Sequence, residues 1–426
     1  MNLSELRLHQ TNNESWSTLN PTHKSEILNL YTTFIGPKTR ATASQFLQIL
    51  DLSVSQTESP WQTLYLQDPK LELIVATVTA TIKPSSTKDK YSVLISYVAT
   101  HESYRKLGIM SKLLQTLVDL YESTHYNIEC PTIPFEIALE TKQPLSDFIK
   151  AHIKPVGTGC ESYFWYLYSI VGLYYSRFGF HRFPNFQLYT RTISSKARNI
   201  PSKFILEKNE EFITQGNIDE FLKSTRSTLS EREQNLKPNQ RGVSLTSDPS
   251  VIRFNKLDQF LYKDSGIDPK PIGFSISTTG GDAVVYKSYI LVTMNCQFDG
   301  LSVYRLGTDF HEQNNEHKTL LNKHLIRINK FLDWLTFTGY LKLTGNKGSA
   351  NRGAKGSIAL VKGDVFCEQE GSGSGTRDEI LKLLVKNGWK DGGEMEFLTC
   401  MLKDFGKVGD GNEGLDWVNN GQWCLF

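Results

Sequence analysis

The chain has 426 residues, with 47 Lys plus Arg against 45 Asp plus Glu and a formal charge of +2. At roughly 100–200 residues per domain this implies two or three domains, and the near-neutral balance excludes a basic field strong enough to make nucleic acid the default partner. A composition 39% hydrophobic, with 18 Tyr and 23 Phe, excludes wholesale disorder.

Asn20 followed by Pro21 reads as a cap and first helical position, opening a helix to about Phe34, and a second helix is expected over Ala41–Leu50. Three strands follow, at 63–67, 71–82 and 91–100, with the last two joined by a hairpin loop. After Gly108 the period changes: Ile109, Met110, Leu113, Leu114, Leu117, Leu120 and Tyr121 recur at helical spacing and make one buried face. A strand is expected over Phe135–Glu140, a core helix over Tyr163–Phe178 stopped by Gly179, and a last strand over Phe186–Thr192. The polar stretch 193–203 reads as a linker. Beyond it come a strand, two polar helical stretches to about Leu236, strands at 272–277, 283–295 and 301–306, and a helix with apolar Leu320 to Leu335 on one face. Glycine-rich stretches within 344–375 bracket a short strand, and Thr376 with Glu379 reads as a capping box restarting a helix. The second half repeats the element order of the first, as a degenerate duplication would.

The opening residues lack a basic and then apolar leader, the longest apolar run falls short of the roughly 20 residues that span a membrane, and the six cysteines form no CxxC pair. The third-from-last place of Cys424 does not make a prenylation box. The expectation is a soluble cytoplasmic protein, with nuclear access left open. His311 and His317 are six apart, not the four of a zinc helix, and no metal is expected. The Gly371–Gly375 run lacks the Lys-Ser/Thr of a P-loop.

The informative segment is 97–114, where a strand ends, Arg105-Lys-Leu-Gly108 turns, and an amphipathic helix begins. Unpaired N–H groups at a helix N-terminus, the positive end of its dipole, make a pyrophosphate cradle. Arg105 and Lys106 bring positive charge to its entrance, and Gly108 permits close backbone approach. The same residues also read as an ordinary strand-to-helix turn with a convenient glycine, and the segment by itself leaves the two open.

Arg105-Lys-Leu-Gly108-Ile-Met110 resembles motif A of the GNAT superfamily of N-acetyltransferases, Arg/Gln-x-x-Gly-x-Gly/Ala, and the element order over residues 1–191 is similar to that fold. Tyr174-Tyr-Ser-Arg-Phe-Gly-Phe180 resembles the family's Leu-Tyr-x-x-x-Gly-Phe segment. Met110 departs from the pattern: its side chain crowds a diphosphate unless it turns toward the core. Leu167 to Phe180 is similar to a stretch of fungal lysine N6-acetyltransferases, as are Thr100-His-Glu-Ser-Tyr-Arg105 and, more loosely, Ile252 to Phe260. Here Phe180 stands for their Trp, and a Pro before the Arg turn is missing.

The resemblance implies an α+β fold, a mostly antiparallel mixed sheet flanked by helices over 1–192, followed by a degenerate second copy over 204–426 that closes over the acceptor. It implies an acetyl-CoA-dependent N-acetyltransferase acting on a small amine, foremost the side-chain amine of free lysine. A polyamine, another small amine or a protein lysine are rival acceptors, and a non-catalytic binding protein on the same scaffold is the rival class. Acetyl-CoA is then held by Val98, Thr100, Arg105, Lys106, Leu107, Gly108, Ile109, Met110, Ser111 and Lys112. Ser169 and Gly172 approach it from the helix that carries Tyr175, the general acid, with Tyr174 its rival one register away. Bases to consider are Glu140, at the end of its strand, and the terminal carboxylate of Phe426, a device of some tandem enzymes of the superfamily; His101 and Glu102 precede the turn, and a water relay requires no base at all. The second half lacks the phosphate turn, since Leu301 to Gly307 runs directly into Thr-Asp-Phe. It is therefore expected to hold no second coenzyme. Neither nucleic acid nor membrane is an expected partner, and oligomeric state stays open.

Overall fold

A computed structural model describes residues 3–35, 51, 59–84, 90–138, 145–158, 162–183, 186–194, 200, 203–214, 216–218, 241–243, 271–281, 284–295, 300–310, 315–341, 355–362, 365–367, 374–395, 399–405 and 415–417. The first elements are β1 (Arg7–Asn12), α1 (Pro21–Ile35), β2 (Trp61–Asp68), β3 (Leu73–Pro84), β4 (Lys90–Thr100), α2 (Ile109–Tyr126), β5 (Glu136–Ile137), α3 (Leu145–His152), β6 (Ser162–Ser169), β7 (His181–Arg182) and β8 (Gln187–Ser194). There follow β9 (Glu210–Ile213), β10 (Arg241–Val243), β11 (Gly273–Thr279), β12 (Val285–Asn295), β13 (Gly300–Thr308), α4 (Asn315–Leu335), β14 (Lys355–Val361), β15 (Val365–Cys367), α5 (Ser374–Lys386), β16 (Lys390–Glu394), β17 (Thr399–Asp404) and β18 (Leu415–Trp417). The helix expected over 41–50, the polar helical stretches before 236 and most of the glycine-rich loops lie outside the described residues.

Local signals set the first elements. The Asn20 side chain accepts the Thr22 N–H at 2.8 Å, so the expected cap opens α1. The apolar face of α2 is buried from Ile109 to Tyr121, and the helix stops at Asn127 in the left-handed region.

The chain forms two compact units whose segments interleave: Met1–Pro184 with Pro238–Asp248 and Phe397–Trp417, and Asn185–Lys237 with Pro249–Glu396 and Val418–Phe426. The first is built on a sheet of order β5-β1-β2-β3-β4-β6-β17-β7, with β1 to β4 antiparallel, β4 parallel to β6 and β6 antiparallel to β17. Helices α2 and α3 pack on one face, and α1 covers the other with Trp16, Tyr31 and Trp61. The second unit repeats this plan as β9-β11-β12-β13 antiparallel, β13 parallel to β14 and β14 antiparallel to β8, with α4 and α5 supplying much of its core. In each unit the strand after the parallel pair comes from the other half of the sequence. In the first, Lys403 of β17 bonds Glu122 of α2 at 2.7 Å, and Trp165 donates to the same carboxylate at 2.9 Å. In the second, Arg191 of β8 makes a two-pronged pair with Asp333 at 2.8 and 2.7 Å and donates to the Asn387 carbonyl at 2.8 Å.

Four expectations change. Residues 163–178 are not one helix: 162–169 is strand β6, followed by a 3-10 turn Gly172–Phe178. Their apolar run is unbroken because β6 lies inside the sheet with both faces buried, which removes the alternation that marks a half-exposed strand. The strand expected at 135–140 shrinks to β5, on the outer edge beside β1, so β6 and not that segment runs parallel to β4. The strand expected at 186–192 exists as β8 but bonds in the second sheet. Thr376 and Glu379 lie inside α5, which starts at Ser374; Glu379 pairs with Lys318 at 3.7 Å instead of capping.

The second unit also stores a pH response. His324 is buried, its Nε2 2.8 Å from the Thr278 hydroxyl and its Nδ1 3.0 Å from that of Ser288. Burial lowers its pKa from 6.5 to about 4. A depressed histidine favours the neutral form when folded, so its stabilisation is complete above pH 6.5 and is lost as pH falls toward 4. The shift is worth about 3 kcal/mol. Urea denaturation at pH 7 and pH 4.5 should show the wild type losing more stability than His324→Gln; equal losses would refute the assignment.

Candidate active site

The site is built where β4 meets α2. The ladder between β4 and β6 runs from Lys90↔Ser162 to Ile95↔Leu167 and then stops, although β4 continues to Thr100 and β6 to Ser169. On its other side β4 carries a bulge: Thr77 pairs with Ala99 and Thr79 with Ser96, so Tyr97 and Val98 together oppose Val78. Tyr97 sits at φ 49°. The bulge re-aims the strand. Val93, Ile95 and Val98 face the α2 side, whereas Tyr97 and Ala99 turn to the α1 side. The His101 N–H donates to the Val75 carbonyl at 2.8 Å, so antiparallel alternation aims the backbone groups of Ala99 at β3 and those of Val98 and Thr100 at the opening.

The turn after β4 is anchored from below. Tyr104 is buried in a short 3-10 turn and donates to Asp68 at 2.7 Å; burial, with that carboxylate, pushes its hydroxyl up to about 12. Arg105 Nε donates to the Thr100 carbonyl at 3.3 Å. Lys106 and Gly108 take φ 66° and 76°, and Gly108 is the cap of α2 without a side-chain acceptor. A Cβ at Gly108 would meet no atom within 4 Å. The first bond into the helix is Lys112 N–H to the Gly108 carbonyl at 3.2 Å, so the N–H groups of Ile109, Met110 and Ser111 have no acceptor within α2. Arg105, Lys106, Leu107 and Lys112 are exposed, Ile109 is buried, and Met110 packs against the core. Three helix-terminal donors, open space over a left-handed glycine and three cations can hold a diphosphate.

The 3-10 turn Gly172–Phe178 reaches this turn from the end of β6. Ser111 lies 2.9 Å from the Tyr174 hydroxyl, and Arg177 stacks 4.2 Å from the Tyr174 ring centre while its Nε donates to the Tyr174 carbonyl at 3.1 Å. Tyr175 is 7% exposed, edge-on to Tyr174 and Phe180, and burial raises its hydroxyl pKa well above the usual phenol value. Ser169 ends β6, buried, with its hydroxyl accepting the Val171 N–H at 3.2 Å; Gly172 opens the 3-10 turn at φ 60°. They share no helix with Tyr175, because 163–169 is strand. His101 is half-buried edge-on to Tyr104, and Glu102 is exposed. Glu140 and Phe426 lie outside the described residues, and β5, the strand leading toward Glu140, sits at the sheet edge, with β1 to β3 between it and β4. The sequence reading missed Tyr31, Asp68, Thr77 and Tyr104, whose partners are distant in sequence.

The second unit carries the matching bulge at Tyr304, between Leu291↔Arg305 and Val292↔Val303. There, however, β15 pairs with Leu306–Thr308 along the edge that β6 leaves open in the first unit. Among the described residues, no cluster of three or more His, Cys, Asp or Glu could hold a metal, and no helix is long and apolar enough to cross a membrane.

A search of curated proteins finds no match. Among solved structures, a probable N-acyltransferase from Enterococcus faecalis is similar at 13% identity and TM-score 0.36; the alignment covers 84% of this chain and 65% of that one. A tandem GNAT protein from the clavulanic acid biosynthesis pathway aligns at 9% identity over 95% of this chain and 100% of its own, TM-score 0.41. Saccharomyces cerevisiae N-myristoyltransferase with bound myristoyl-CoA aligns at 11% over 95% and 80%, TM-score 0.44. The family model described as acetyltransferase (GNAT) family matches residues 26–133, the stretch from α1 through β4, the glycine turn and α2. Residues 26–133 thus match the acetyltransferase (GNAT) family.

Proposed function

We propose that the first unit binds acetyl-CoA across the β4/β6 opening and transfers its acetyl group to a small amine in a ternary complex, foremost to the side-chain amine of free lysine. The observation that carries the reading is the opening beside the glycine turn: unpaired strand edge and unpaired helix-terminal donors meet at one place. The N–H groups of Gly108 to Ser111 take the diphosphate, with Arg105, Lys106 and Lys112 around it. Leu107 lends its exposed side chain to the rim. The backbone of Val98 and Thr100 lies along the pantetheine arm, and Ser169 and Gly172 border it from β6. Met110 leaves the diphosphate room, because its side chain is spent on the core. That inward turn weighs against a non-catalytic scaffold.

Acetyl-CoA supplies the activated thioester. The attacking amine must be neutral, the tetrahedral oxyanion needs N–H donors, and the departing thiolate needs a proton. Val98 N–H faces the opening as a donor, and Tyr175, held protonated by burial, gives the proton. A water relay or the candidates Glu140 and Phe426 take the proton from the amine. The second unit holds no coenzyme: β15 fills its corresponding edge and no glycine turn follows β13. Cys130 and Cys400 are not joined in disulfides, which supports a cytoplasmic site of action. Lysine as acceptor rests on the likeness of Leu167–Phe180 and Thr100–Arg105 to the fungal enzymes.

Thiol release from acetyl-CoA, measured with lysine, ornithine, spermidine and a histone-tail peptide, tests this directly. Turnover foremost on lysine is expected. Turnover on another amine would replace the acceptor and keep the mechanism, and silence on all four without calorimetric binding of acetyl-CoA would refute the proposal.

A further inference from the structure

Tyr97 is the one non-glycine residue of β4 with positive φ, and two contacts hold it there. Its ring stacks on Tyr31 of α1, centres 4.3 Å apart and planes at 22°. Its carbonyl accepts the Thr77 hydroxyl at 3.1 Å from β3. Tyr31 is itself tethered: its hydroxyl lies 3.2 Å from Thr79 and 3.4 Å from Thr63, and those two hydroxyls are 2.7 Å apart. A left-handed bulky residue is costly and persists only where its surroundings over-determine it. Here the ring is fixed by α1, and the carbonyl and the strand register by β3. The next residue is Val98, whose backbone groups face the opening.

We propose that Thr77 and Tyr31 are positioning residues for acyl transfer: they clamp the β4 bulge and so set the direction of the Val98 N–H. The inference rests on the proposed transfer at this opening, but the clamp itself can be read without it. Neither residue touches the opening by its own side chain. Thr77 is buried and spends its hydroxyl on Tyr97, and Tyr31 lies on the opposite face of the sheet from α2. The clamp therefore acts chiefly on the step in which charge develops on the thioester oxygen, and the larger part of coenzyme affinity, which rests on the glycine turn, is spared.

Thr77→Val is nearly isosteric and removes only the hydroxyl. It should lower kcat by about 10-fold or more, because small displacements of a group aligned with the reacting atoms are costly. The KM for acetyl-CoA should stay within about twofold, since the diphosphate donors are untouched. Thr77→Ser should restore kcat, and thermal melting checks that both variants fold. A Thr77→Val enzyme with unchanged kcat, or with kcat and acetyl-CoA KM altered together and no rescue by serine, overturns the proposal. If the wild type turns over no amine, it is the proposed function that fails. Hydrogen exchange then reads the clamp by itself: Thr77→Val should speed exchange of the Ala99 and His101 amides, which bond toward β3, and unchanged protection there would dispose of it.

Discussion

Tyr175→Phe is expected to lower kcat by about 10²–10⁴-fold while leaving acetyl-CoA binding unaltered, the range typical of losing a positioned proton donor. The substitution keeps the ring that packs edge-on against Tyr174 and Phe180, so the 3-10 turn and the core around it should survive. Burial raises the hydroxyl above the ordinary phenol value of 10.0, so it is protonated at neutral pH and placed to donate rather than accept a proton, as a weaker acid than a free phenol. Steady-state thiol release with calorimetry of coenzyme binding separates the two effects. A Phe variant that keeps its kcat would transfer the role to Tyr174, whose hydroxyl already contacts Ser111 on the first turn of α2.

The second large effect belongs to the glycine turn. Gly108→Val should weaken acetyl-CoA binding by about 10–100-fold, from about 1–3 kcal/mol of backbone strain at φ 76° and from the loss of the aligned donors. No neighbour stands within 4 Å of the new Cβ, so crowding within the protein is not the cause. The branched side chain instead disfavours the left-handed cap and projects where the diphosphate would lie. Gly108→Ala should fall between the two. Calorimetry at fixed temperature is the measurement, and a valine variant that binds acetyl-CoA as the wild type does would remove the diphosphate from this turn. Tyr175→Phe and Gly108→Val should thus separate cleanly, one in kcat and one in affinity.

Where a signal is local, the sequence carried it. The Asn20 cap, β2 to β4, the face of α2 and the glycine turn between β4 and α2 were all legible, because capping, alternation, helical period and a glycine at a turn act over a few residues. The sequence also told that the second half lacks the turn, which is a matter of reading Gly307-Thr-Asp-Phe in place of an Arg-x-x-Gly. Tertiary structure decided the rest. Tyr163 to Tyr168 became a strand because both faces of β6 are covered, a condition that erases periodicity and leaves helix and strand alike on paper. Which sheet β8 and β17 join is a choice of hydrogen-bonding partners far apart in the sequence, and no local pattern encodes it. Whether Met110 crowds a ligand or fills the core depends on which way one side chain turns, and it turns to the core. The bulge at Tyr97 is likewise invisible in Ile-Ser-Tyr-Val-Ala-Thr, since Thr77, Thr79 and Tyr31 hold it from other elements, and only folding brings them together.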